Sequence, residues 1–98
     1  MVLQAGEEIV KAGTFLYDGE VLCDVVIVRD PILYGSGDEE DPPEVAEDRE
    51  RETFYIRYGS NTTRGQFNAG RPARFTLAEA MKAAEEAPGI GSTIRWID

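Results

Sequence analysis

Residues 8–29 carry a hairpin in their residue types. Asp18-Gly19 suits a type I′ turn, whose two central residues both take positive φ. Pairing outward from a two-residue turn sets Val10 opposite Ile27, Ala12 opposite Val25, Thr14 opposite Cys23, and Leu16 opposite Val21. That face is apolar apart from one threonine and is expected to meet the core. The other face pairs Ile9 with Val28, Lys11 with Val26, Gly13 with Asp24, and Phe15 with Leu22. Side chains alternate with a period of two, so a slip of one residue would mix the faces. The expected strands are 8–17 and 20–29.

Three more elements follow. Thr53-Phe54-Tyr55-Ile56-Arg57-Tyr58 alternates, with Phe54, Ile56 and Tyr58 on one side, and Gly59 ends it. Thr76-Leu77-Ala78-Glu79 is a capping box. Behind it Leu77, Ala80, Met81 and Ala84 make one helical stripe, and Ala87-Pro88-Gly89 stops the helix, which spans 77–87. Ser92–Ile97 reads as a last strand, with Trp96 as a core anchor.

The implied fold is α+β: one antiparallel sheet of about four strands, in β-β-β-α-β order, with a single helix packed on one face. The chain of 98 residues is expected to be a single domain, 1–98. Phe15, Leu22, Val26, Val28 and Tyr55 are expected on a partly open second face. Such a face, or a sheet edge, points to a homodimer.

Residues 30–52 form a long acidic connection. From Asp38 to Glu52 nine acids (Asp38, Glu39, Glu40, Asp41, Glu44, Glu47, Asp48, Glu50 and Glu52) face Arg49 and Arg51. Nine minus two leaves −7 of the chain's −9 in this stretch. Repulsion among the acids and Pro42-Pro43 favour a solvated insertion. The functional reading is a surface for a basic protein partner, with Ile32, Leu33 and Tyr34 as apolar anchor and Asp38, Glu39, Glu40 and Asp41 as charges. Whether Ile32-Leu33-Tyr34 is an edge strand or a hydrophobic contact stays open at this level. The acids lack the glycine and distal glutamate of a calcium loop.

Residues 57–75 are the counterpart, with Arg57, Arg64, Arg71 and Arg74 and no acid. Arginine forks and glycine-exposed amides suit a small anionic ligand. However, no phosphate-loop pattern is present, and pairing of these arginines with the acidic connection is the plainer reading.

The chain has no histidine and one cysteine, Cys23, set among apolar neighbours and expected to be buried. Histidine-dependent nucleophile systems and multi-cysteine metal sites are therefore excluded within one chain. No metal and no cofactor is implied. A chain at −9 repels nucleic acid. No apolar run approaches the roughly 20 residues of a membrane span. The first residues do not resemble a secretory signal, which points to the cytoplasm. Eight arginines against two lysines suit a bacterial source. The preferred reading is a non-enzymatic protein-interaction module, an adaptor or inhibitor of a basic partner. The alternatives are a domain binding a small anion through 57–75, and a small enzyme without histidine chemistry.

Overall fold

A computed structural model describes residues 6–35, 37, 39, 40, 42, 46–60, 66–68 and 73–97. Five strands form one antiparallel sheet: β1 (Glu8–Tyr17), β2 (Val21–Leu33), β3 (Arg49–Gly59), β4 (Phe67–Asn68) and β5 (Arg95–Trp96). Helix α1 (Leu77–Glu85) lies between β4 and β5 in sequence. The spatial order is β4-β3-β2-β1-β5. This is the α+β architecture that the sequence implies, with the two-residue β4 added at one edge.

The core lies between the sheet and α1. Phe15, Cys23, Val25, Ile27, Phe54 and Ile56 meet Ala80 and Ala84, all of them buried. Alanines on the helix bring its backbone close to the sheet. Leu77 and Met81 flank them and pack against the same cluster. The expected cap forms: the Thr76 hydroxyl accepts from the Glu79 amide at 3.0 Å, while the Glu79 carboxylate accepts from the Thr76 hydroxyl at 3.1 Å. The helix stops at Glu85, two residues short of the expected end, and buried Ala87 follows.

The hairpin turn has the expected conformation, with φ of 54° at Asp18 and 71° at Gly19. Its strand register differs from the expected one. Tyr17 pairs with Val21, so Glu20 is an extra residue in the turn, and Phe15 pairs with Cys23. Consequently Phe15 lies in the core, while Ala12, Thr14 and Leu16 stand on the opposite face with Val26, Asp24 and Leu22. A bulge at Val10 then restores the expected partners, Ile9 with Val28. Burying a phenylalanine is worth roughly 1.5–3 kcal/mol, which favours this register over one that faces Phe15 away from α1. The bulge also lets Val10 reach the core.

The expected second face is open only in part: Leu22 is exposed and Tyr55 half-buried. Val28 is fully buried and Val26 nearly so, and Phe15 belongs to the other side. The exposed large apolar residues of the hairpin are Tyr17, Val21 and Leu22 near its turn and Ile9 at the start of β1.

Strands β2 and β3 are both longer than expected, so the connection between them is 34–48 rather than 30–52. Ile32 and Leu33 belong to β2, paired with Glu50 and Arg49. β1 reaches only Arg29, leaving the last part of β2 and the start of β3 as a two-stranded ribbon. A bulge at Pro31 marks the start of that ribbon. At the other edge the expected strand 92–97 is reduced to Arg95–Trp96. Gly91–Thr93 forms a 3-10 turn, because the Thr93 hydroxyl takes the Leu16 amide at 2.9 Å and donates to the Ile90 carbonyl at 2.6 Å. Trp96 packs beside the core, half-buried, and donates its indole N–H to Glu85 at 3.2 Å.

Candidate functional site

The start of the ribbon gathers polar side chains on the face turned away from α1. Period-two alternation puts Asp30, Thr53, Tyr55 and Arg57 there, with Glu7 supplied by the residue before β1. The Arg57 guanidinium grips the Glu7 carboxylate with both forks, at 2.5 and 3.3 Å. The Glu7 side chain is completely buried and Arg57 is 24% exposed, so the pair sits largely out of water.

Asp30 is 1% exposed. Its Oδ1 accepts the Ile32 amide at 2.9 Å, which satisfies the first backbone N–H after Pro31. Its Oδ2 is buried and has no hydrogen-bond partner among the described residues. The Tyr55 hydroxyl donates to the Ile32 carbonyl at 3.1 Å and accepts the Tyr34 amide at 3.1 Å. This double bond clamps the chain as it leaves β2. The Tyr34 and Tyr55 rings lie 6.1 Å apart, tilted by 41°.

Both phenols hold their protons above the ordinary value of 10.0. For Tyr34 the largest cause is lost hydration, followed by the charge and hydrogen bonding of Asp30, then Glu7 and Tyr55. For Tyr55 lost hydration again comes first, opposed by the Tyr34 amide and reinforced by Asp30, Asp48 and Glu7. Glu7 is matched by Arg57, while Asp30 acts on both phenols by its charge and on Tyr34 by a hydrogen bond as well. The surroundings therefore favour a cation and oppose an anion.

The connection beyond this cluster is tied across its base. Gly35 donates its amide to Asp48 at 2.9 Å, Gly37 donates to the Ala46 carbonyl at 3.1 Å, and Ala46 donates to the Pro42 carbonyl at 2.9 Å. Gly35 has no room for a side chain, since a Cβ would fall 2.3 Å from the Ala46 oxygen. Glu39, Glu40, Glu47 and Asp48 are exposed here, joined by Glu50 and Glu52 on β3. Asp38 and Asp41 lie outside the described residues.

Of the arginines singled out in sequence, Arg64 and Arg71 also lie outside the described residues. Arg57 is engaged by Glu7, not by the acidic connection. Arg74 exchanges backbone hydrogen bonds with Phe54 at 2.8 and 3.0 Å, and its guanidinium donates to the Ala73 carbonyl at 3.1 Å. Sequence reasoning passed over Glu7, Asp30 and Tyr55. Asp30-Pro31 inside an apolar run was the available signal, because an aspartate buried in a strand needs a local role.

A cleft of about 340 Å3 opens between Gly6, Arg29, Pro31, Glu50, Arg51 and Glu52. Both of its arginines are engaged: Arg29 pairs with Glu8 and Glu52, and Arg51 lies 3.6 Å over the Phe75 ring. Among the described residues no group of three His, Cys, Asp or Glu is placed to hold a metal ion. None of the described helices is long and apolar enough to cross a membrane. Compared with protein-family models, curated proteins and solved structures, the chain matches none.

Proposed function

We propose that this chain is a non-enzymatic protein-interaction module, an adaptor or inhibitor that meets a basic partner through the far end of the β2–β3 ribbon. One observation carries the reading: Glu39, Glu40, Glu47, Asp48, Glu50 and Glu52 are all exposed around one tied connection. Acids held on a constrained loop lose less conformational freedom on binding than acids on a free tail. They also steer a positively charged protein toward that end. Arg57, engaged by a buried carboxylate, favours this over capture of a small anion at that position.

In this reading the module works in the bacterial cytoplasm. A homodimer through the second face or a sheet edge remains part of this reading; Val26 and Val28 are buried within the chain, so on that face Leu22 is the exposed residue that supports it. The test is affinity for a captured partner across a salt series. A basic partner whose binding weakens steeply with salt, and weakens again in Glu39→Gln/Glu40→Gln/Glu47→Gln, supports the proposal. An acidic partner, or binding indifferent to salt, refutes it.

A further inference from the structure

We propose that Tyr34 and Tyr55 form the contact that reads a cationic side chain of the basic partner, arginine in preference to lysine. This rests on the acidic-end reading above and names the chemistry at its centre. The rings sit where the acidic connection leaves β2, tilted at 41° with centroids 6.1 Å apart, and Tyr34 is 47% exposed. An aromatic face attracts a cation through its quadrupole, and a planar, weakly hydrated guanidinium stacks on it better than an ammonium does.

Three carboxylates, Asp30, Asp48 and Glu7, act on Tyr55 and bias the spot toward positive charge. Glu7 is matched by Arg57. Asp30 has no such cation; it accepts the Ile32 amide and acts on Tyr34 by its charge and a hydrogen bond. The raised phenol pKa values agree with a negative local potential. Tyr34 is also held for the task, because its amide is bonded to the Tyr55 hydroxyl and the next amide, from Gly35, to Asp48. An exposed aromatic that is already oriented loses little entropy when a cation docks.

The experiment is calorimetric titration of the full chain with hexa-arginine, hexa-lysine and hexa-citrulline peptides, at about 0.05 M and about 0.5 M salt. Hexa-arginine is expected to bind more tightly than hexa-lysine, and hexa-citrulline not to bind. Tyr34→Leu is expected to weaken hexa-arginine about 2- to 5-fold at both salt concentrations, while Tyr34→Phe, which keeps the ring face, binds like the parent. Glu39→Gln/Glu40→Gln/Glu47→Gln is expected to weaken binding chiefly at low salt. If that charge variant weakens binding but Tyr34→Leu does not, the acidic end stands and the tyrosine contact is overturned. Equal losses in Tyr34→Phe and Tyr34→Leu also overturn the contact. If hexa-arginine fails to bind, or hexa-citrulline binds equally, the acidic-end reading falls and takes this inference with it.

Discussion

Arg57 and Glu7 are separated in sequence by β1, β2, the long connection and most of β3, yet they form a two-forked ion pair around a buried carboxylate. The value of such a pair lies less in its own attraction than in what remains when one member goes. Arg57→Ala leaves Glu7 charged and buried, and is expected to cost about 3–5 kcal/mol in urea unfolding. Glu7→Gln leaves a neutral group beside a partly exposed guanidinium, so it is expected to cost clearly less. Equal losses would show that the two residues contribute through packing alone.

The tyrosines give a second test at this scale. Their folded pKa values lie above the unfolded 10.0, so folding binds their protons more tightly. The resulting stability is full below about pH 10 and is lost as pH rises through the raised values. Asp30→Asn keeps an acceptor for the Ile32 amide and removes the charge that acts on the phenols. Ultraviolet titration should then show both phenols ionising at lower pH than in the parent. Unchanged titration would mean that Asp30 does not act on them.

Helix α1 and strand β5 show two ways in which an element is held. The helix is local: Thr76→Ala removes the cap on the Glu79 amide and is expected to cost about 1 kcal/mol, with Thr76→Asp recovering most of it. Strand β5 depends on a neighbour without a side chain. At Gly13 a Cβ would fall 2.6 Å from the Arg95 carbonyl oxygen and 3.0 Å from the Trp96 ring. Gly13→Ala is therefore expected to push β5 off the edge and cost about 1–3 kcal/mol, read as lost amide protection at Ile97, which bonds the Ala12 carbonyl at 2.8 Å. Protection unchanged at Ile97 would count against this account. The cap was legible in four consecutive residues. The role of Gly13 was not, since nothing near it in sequence announces a tryptophan more than eighty residues away.

The molecule measures 43 × 26 × 25 Å. Thirteen residues of β2 at roughly 3.3 Å each span a length similar to the longest of these. The core and α1 occupy one part of that length, and the exposed acids cluster where β1 no longer covers the ribbon. Stability and charge are thus held in different places. Glu39→Gln/Glu40→Gln/Glu47→Gln is expected to change stability by no more than about 0.5 kcal/mol per site, with any trend upward as repulsion falls. By contrast, Ile56→Ala, at a fully buried position, is expected to cost about 2–5 kcal/mol. A large loss in the glutamine variant would show that the acids support the fold.

Local chemistry alone determined the hairpin turn, the helix and its cap, the inward set Cys23, Val25, Ile27, Phe54 and Ile56, and the concentration of acids in one stretch. Each is settled by neighbours within a few residues: positive φ at Asp18-Gly19, a hydroxyl three residues from an amide, alternation with a period of two. Tertiary structure decided the rest. It moved Phe15 inward by an unpaired Glu20 and a bulge at Val10, because the helix offers an apolar surface that only a large side chain fills. It brought Asp30 and Glu7 within electrostatic reach of Tyr34 and Tyr55, because β2 runs past Pro31 to pair with β3 at Glu50. Those outcomes depend on which distant strand supplies the other half of a contact, and residue spacing carries no record of that.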